Sequence, residues 1–127
     1  MTEFTLPYVS AESAGDYFEV LFAEASDTEG DYFLIQRQFE SSDGGLFYVE
    51  SHDVRLRGHF KVAGAELTRD TLRLLVKCAP PESVQIRFQA DLTRFERLKK
   101  ILRIMMPGPM LTIEPSRHEG PEGAASI

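Results

Sequence analysis

Alternation of apolar and polar residues dominates this chain. From Val84 to Ala90 every even position is apolar and every odd one polar, the period-two signature of a half-buried strand. Residues 71–77 alternate in the same way and point Leu72, Leu74 and Val76 inward. Between them, Pro80 and Pro81 cannot donate ladder hydrogen bonds, so 78–83 reads as a loop. Runs rich in aromatic and β-branched residues at 17–23, 31–39, 46–52 and 58–67 predict further strands. Turn-forming clusters at 26–30 and 41–45 separate them, and Thr68-Arg69-Asp70 suits a hairpin. Residues 4–9 read as one more strand, placed at an edge because Pro7 interrupts it. A short strand is expected at 110–113.

One segment departs from that pattern. Asp91 is a suitable N-cap, and Leu92, Phe95, Leu98, Leu102 and Met105 recur at steps of three or four, predicting a helix over 92–106. Glu96 precedes Lys100 by one turn, and the bases late in the segment suit the negative end of the helix dipole. Pro107-Gly108-Pro109 stops the helix.

The elements predict an α+β protein: a single curved antiparallel β-sheet of about six strands, with one C-terminal amphipathic helix packed on it. The expected organisation is one domain over 1–113 and a flexible tail over 114–127, where Pro115, Gly120, Pro121 and Gly123 break any periodicity. The expected core is Phe33, Ile35, Leu72, Leu74, Val76, Val84, Ile86, Phe88, Leu92, Phe95, Leu98 and Leu102.

Composition places the 127 residues among ordinary globular proteins, with 43% hydrophobic and 27% charged residues. No apolar run reaches the ~18 residues of a membrane helix, so no membrane role is expected. A lone Cys78 makes neither an internal disulfide nor a thiolate metal cage, and the start of the chain lacks signal-peptide character. The expected compartment is the cytoplasm. The formal charge of -6 conceals a division along the chain. Residues 1–53 carry twelve acids and a single base, Arg37, whereas 54–106 carry twelve bases and five acids. Either the halves interleave in one sheet and neutralise each other, or an acidic face stays exposed and steers a basic partner.

Chemistry-bearing motifs are sparse. No phosphate-binding glycine loop and no Gly-x-Ser-x-Gly elbow is present, and no cofactor is expected. His52, Asp53 and His59 form the best metal-ligand candidate, at a spacing that matches no established motif, and would support a small metal-dependent enzyme as an alternative. Five bases between Arg94 and Arg103 invite a nucleic-acid reading, which the acidic chain and its pI near 5.0 oppose. Arg37 shares parity with Phe33, Ile35 and Phe39, so a charge stands in an apolar row; it should snorkel to a rim, pair with an acid, or anchor a ligand.

The run Tyr32-Phe33-Leu34-Ile35-Gln36-Arg37 resembles the immunity protein 10 family of bacterial polymorphic toxin systems. The likeness continues through Tyr48-Val49-Glu50, Gly58, residues 66–74, Ile86-to-Leu92 and Phe95-Glu96-Arg97-Leu98. It spans roughly residues 31–106 and departs from the family at 51–57. The resemblance implies a small cytoplasmic protein that binds and neutralises a toxin, with no catalytic residues of its own. A homo-oligomeric interaction module is the further alternative, with Tyr48 or Leu75 at its interface. Toxins that act on nucleic acid are often basic, and the acids of this chain gather in residues 1–53. The expected partner surface therefore centres on the 41–45 hairpin, with charge from Glu40, Asp43, Glu50 and Asp53 and an aromatic anchor at Tyr48.

Overall fold

The computed structural model describes residues 2–25, 30–38, 46–78, 80–106 and 108–114. Nine strands and one helix follow in the order β1 (Thr2–Thr5), β2 (Tyr8–Ala14), β3 (Tyr17–Ala23), β4 (Tyr32–Gln38), β5 (Leu46–Ser51), β6 (Gly58–Leu67), β7 (Thr71–Lys77), β8 (Glu82–Arg87), α1 (Leu92–Met105) and β9 (Leu111–Ile113). From β2 to β8 the chain is an antiparallel meander in which each strand pairs with the next. The α+β class with one helix agrees with the sequence expectation; the strand number does not.

One misread segment adds a strand to the sheet. The edge strand expected at 4–9 is broken at Pro7 into β1 and β2, which lie at opposite ends of the sheet. β1 runs parallel to β8, and β2 pairs with β3. Only Leu6 and Pro7 join the two edges, and both are tied to the far side: the Leu6 N–H donates to the Arg87 carbonyl at 2.9 Å, and the Gln89 N–H to the Pro7 carbonyl at 3.0 Å. The sheet thus curls until its edges lie two residues apart along the chain, without closing. β2 itself, with Ser10, Ala11, Glu12, Ser13 and Ala14, is poor in strand-favouring residues. Its hairpin supplies what composition lacks. Gly15, at φ +66°, opens the two-residue turn that sets Ala14 opposite Tyr17.

β6 is long enough to serve three partners. β7 takes one edge; β5 takes the first part of the other edge, and β9 runs parallel to its last three residues. Gly58 starts the strand at φ +139°, a backbone conformation suited to glycine.

The inner face of the curl is the core. Phe22, Phe33, Phe47 and Phe88 are fully buried, and α1 lies against β2 and β3 with Phe95, Leu98, Ile101, Leu102 and Met105 turned inward. Leu92 corrects the expected core, since it remains 64% exposed. It is the first helical residue, and side chains on a helix lean toward its N-terminus. The stripe therefore runs off the covered surface there, while Ile101, absent from the expected stripe, is buried. Asp91 caps the helix as expected, its Oδ1 accepting from the Arg94 N–H at 2.8 Å.

Arg37 points inward with its row and, among the described residues, meets no acid. Its guanidinium donates to the Met105 carbonyl at the end of α1 and lies 5.1 Å from the centre of the Phe47 ring. The last carbonyls of a helix lack internal partners and carry its negative dipole end. A cation at that position joins β4 to the helix terminus.

Candidate protein-binding face

A meander keeps neighbours in sequence as neighbours in space, so the charge division survives folding. The acidic half builds β1 to β5 and the basic half builds β6 to β8 with α1. In the sheet the halves meet where β5 pairs with β6 and where β1 pairs with β8, and the strands do not otherwise interleave. Alternation then sorts side chains between core and solvent. Opposite the core, cross-strand register aligns Glu12, Glu19, Gln36, Tyr48 and His59 in one row across β2 to β6. The adjacent row carries Leu21, Leu34 and Glu50. On the same side of β6 to β8 stand Lys61, Lys77, Arg73 and Arg87.

Glu50 is the centre of the acidic face. The Tyr48 hydroxyl donates to its Oε1 at 2.6 Å and the Tyr32 hydroxyl to its Oε2 at 2.7 Å. Two phenols donating to the ionised form hold this carboxyl below the ordinary glutamate range, and the charge of Arg57 adds to the effect. The phenols move the other way, because losing a proton beside the carboxylate is disfavoured. One row over, Gln36 Nε2 donates to Glu19 Oε1 at 2.8 Å. Beside these pairs a shallow groove of about 500 Å³ runs between Tyr17, Gln36, Gln38, Tyr48 and His59.

Of the residues expected at the partner surface, Tyr48 and Glu50 come together. Glu40 and Asp43 lie outside the described residues. Asp53 stands apart from the pair. It caps the short 3-10 turn at Val54–Leu56, and its carboxylate takes the Arg55 guanidinium at 2.7 and 3.1 Å and the Arg55 N–H at 3.0 Å. Those bonds lower its pKa to about 2. Tyr32, Gln36 and Glu19 were missed. Parity could have found the first two, since Tyr32, Leu34 and Gln36 share the face opposite Phe33 and Ile35.

The proposed metal ligands are each engaged elsewhere. His52 Nδ1 accepts the Tyr32 N–H at 3.1 Å, with its ring edge-on to Phe4 at 5.0 Å, while His59 lies 5.3 Å from the Tyr48 ring. Among the described residues no group of three His, Cys, Asp or Glu gathers to hold a metal. The Cys78 thiol turns onto the Pro80 carbonyl at 3.2 Å. Along the helix, Arg94 covers the Tyr8 ring, Arg97 Nε donates to the Ala11 carbonyl of β2 at 2.7 Å, and Lys99 pairs with Glu96 at 3.0 Å. Arg94 and Arg97 thus tie the helix to the free edge of β2. Among the described residues no helix is long and apolar enough to cross a membrane. Scans against protein-family models, curated proteins and solved structures find no match.

Proposed function

We propose that this chain is a binding protein of the immunity type, which acts in the bacterial cytoplasm by capturing a basic toxin domain on the outer face of β3 to β5 and carries out no catalysis itself. The observation that supports this reading is Glu50, ionised and held between Tyr32 and Tyr48 on an acidic outer surface. Rigid tyrosines beside a fixed charge are typical of binding hot spots, because little side-chain freedom is lost on association. The surrounding acids add steering, which raises association rates by ~10–10³-fold for an oppositely charged partner.

The test uses the C-terminal domain of a secreted toxin encoded beside this gene. Its association rate with the wild-type chain should fall steeply with salt, and Glu19→Lys with Glu50→Lys should slow it. A complex whose rate ignores both salt and those substitutions would dispose of this surface. Absence of any complex would dispose of the immunity reading. A homo-oligomeric module is the second reading, favoured by Leu75, which is 42% exposed on the outer side of β7. Solution scattering over a concentration series separates the two.

A further inference from the structure

Glu50 is oriented in the free protein. Each of its oxygens takes one phenol, Tyr48 on Oε1 and Tyr32 on Oε2. An ionised carboxyl offers about four lone-pair positions, so about two stay open. The Tyr48 hydroxyl spends its proton on Glu50, and what its oxygen still offers is acceptor capacity. The neighbouring row behaves alike, with Gln36 donating to one oxygen of Glu19. These pairs leave the face rich in acceptors and aromatic surface, beside the groove of about 500 Å³ that Tyr48 lines.

A guanidinium is the complementary group. It has five N–H donors and no acceptor, bonds a carboxylate through two parallel hydrogen bonds, and stacks on aromatic rings. An ammonium is a compact, strongly hydrated point charge and uses neither the planar fork nor the ring faces as well. We infer that the face selects an arginine side chain of the partner, its guanidinium on Glu50 and its apolar stem in the groove between Tyr17 and Tyr48. The inference rests on the reading of a basic protein partner given above. The chain's own Arg57 acts on Tyr32, Tyr48 and Glu50 through its charge, while its Nε is spent on the Ser51 carbonyl at 2.7 Å. Tyr48 lines the groove. Arg37, on the strand between, also lines the groove, but its guanidinium is turned to the Met105 carbonyl.

Two small probes test this without a partner: N-acetyl-arginine methylamide and N-acetyl-lysine methylamide, titrated into labelled wild-type protein while amide and ring resonances are followed. The arginine probe should give saturable shifts at Tyr17, Gln36 and Tyr48, at an affinity at least about fivefold above that of the lysine probe. Glu50→Gln should weaken the arginine probe by about tenfold, and Tyr48→Phe, which keeps the ring but frees the carboxylate, by less. Should Glu50→Gln fail to fold, Tyr48→Phe and the comparison of probes on wild type decide alone. Equal affinity of the two probes, shifts confined to other surfaces, or unchanged binding in both variants would overturn the inference. A toxin domain that binds while the arginine probe does not would remove the arginine assignment and leave the immunity reading standing. Arginine binding with no toxin complex would do the reverse.

Discussion

On the outer side of β3 to β5 the charged groups are locked: Glu50 between two phenols, Glu19 against Gln36. On the outer side of β6 to β8 the arrangement is different. Arg73 is shared between Gln85 at 2.8 Å and Glu66 at 3.5 Å, while Lys61 and Lys77 face each other across the ladder as like charges. Both faces are built on the same inner core with the same alternation, so backbone geometry does not distinguish them. What differs is the order of the polar groups before any encounter. A fixed acceptor loses little freedom on binding, whereas a lysine held by no partner must be immobilised first. Surface charge becomes a recognition site where neighbours hold it, and the tyrosines of β4 and β5 do that on one side only.

The largest effect should come from removing the ground both faces share. Phe22→Ala, at a fully buried ring that meets Phe88 at 5.5 Å, should cost about 3–5 kcal/mol in urea unfolding. A loss below about 1 kcal/mol would mean that the two faces do not depend on a common core. Charge reversal separates them next. Glu19→Lys with Glu50→Lys should slow association with the toxin domain by about 10–100-fold at low salt, while Arg73→Glu with Lys77→Glu should leave it unchanged or faster. Equal slowing by both pairs would erase the distinction.

Arg37→Ala tests the link between the acidic strands and the helix. It deletes a cation at the helix terminus and its cover on Phe47, so a loss of about 1–2 kcal/mol is expected, with helix amides near 105 exchanging faster. On the basic face, Lys77→Glu turns an opposed like pair into a favourable one and should stabilise by about 0.2–1 kcal/mol.

Acidification gives the smallest effect. Glu50 and Asp53 have depressed folded-state pKa values, so their stabilisation is full above the ordinary carboxylate range and disappears as pH falls through the depressed values. For Asp53 that window runs from about pH 4 down to about 2. In acid unfolding, Asp53→Asn should flatten that part of the curve, and Glu50→Gln should remove a component that begins just below the usual glutamate range.

Legibility followed the length scale of each signal. Strands with clean alternation, such as Thr71–Lys77, and the capped helix starting at Leu92 agree with the sequence expectation to within a residue or so. Tyr8–Ala14 escaped, because its strand state depends on pairing with β3 and on a glycine turn rather than on residue preference. In the candidate face, Tyr48 and Glu50 were found through charge and aromatic character, two residues apart on one strand. Tyr32 and Glu19 were not, since each reaches the site from a different strand. Asp53 looked equivalent to Glu50 as a surface acid, yet its own neighbour Arg55 claims it.

By itself the sequence determined the class of fold, the inward and outward parity of most strands, the helix with its cap, and the unequal sharing of charge between the halves. These are local or compositional properties, set by periods of two and 3.6 residues and by counting. Tertiary structure alone decided that Pro7 divides one segment between opposite edges, that Arg37 closes the helix it is 68 residues away from, and that two tyrosines from different strands grip one glutamate. Each of these depends on register and curvature, which arise only when distant strands pair and a shared core fixes how far the sheet must curl.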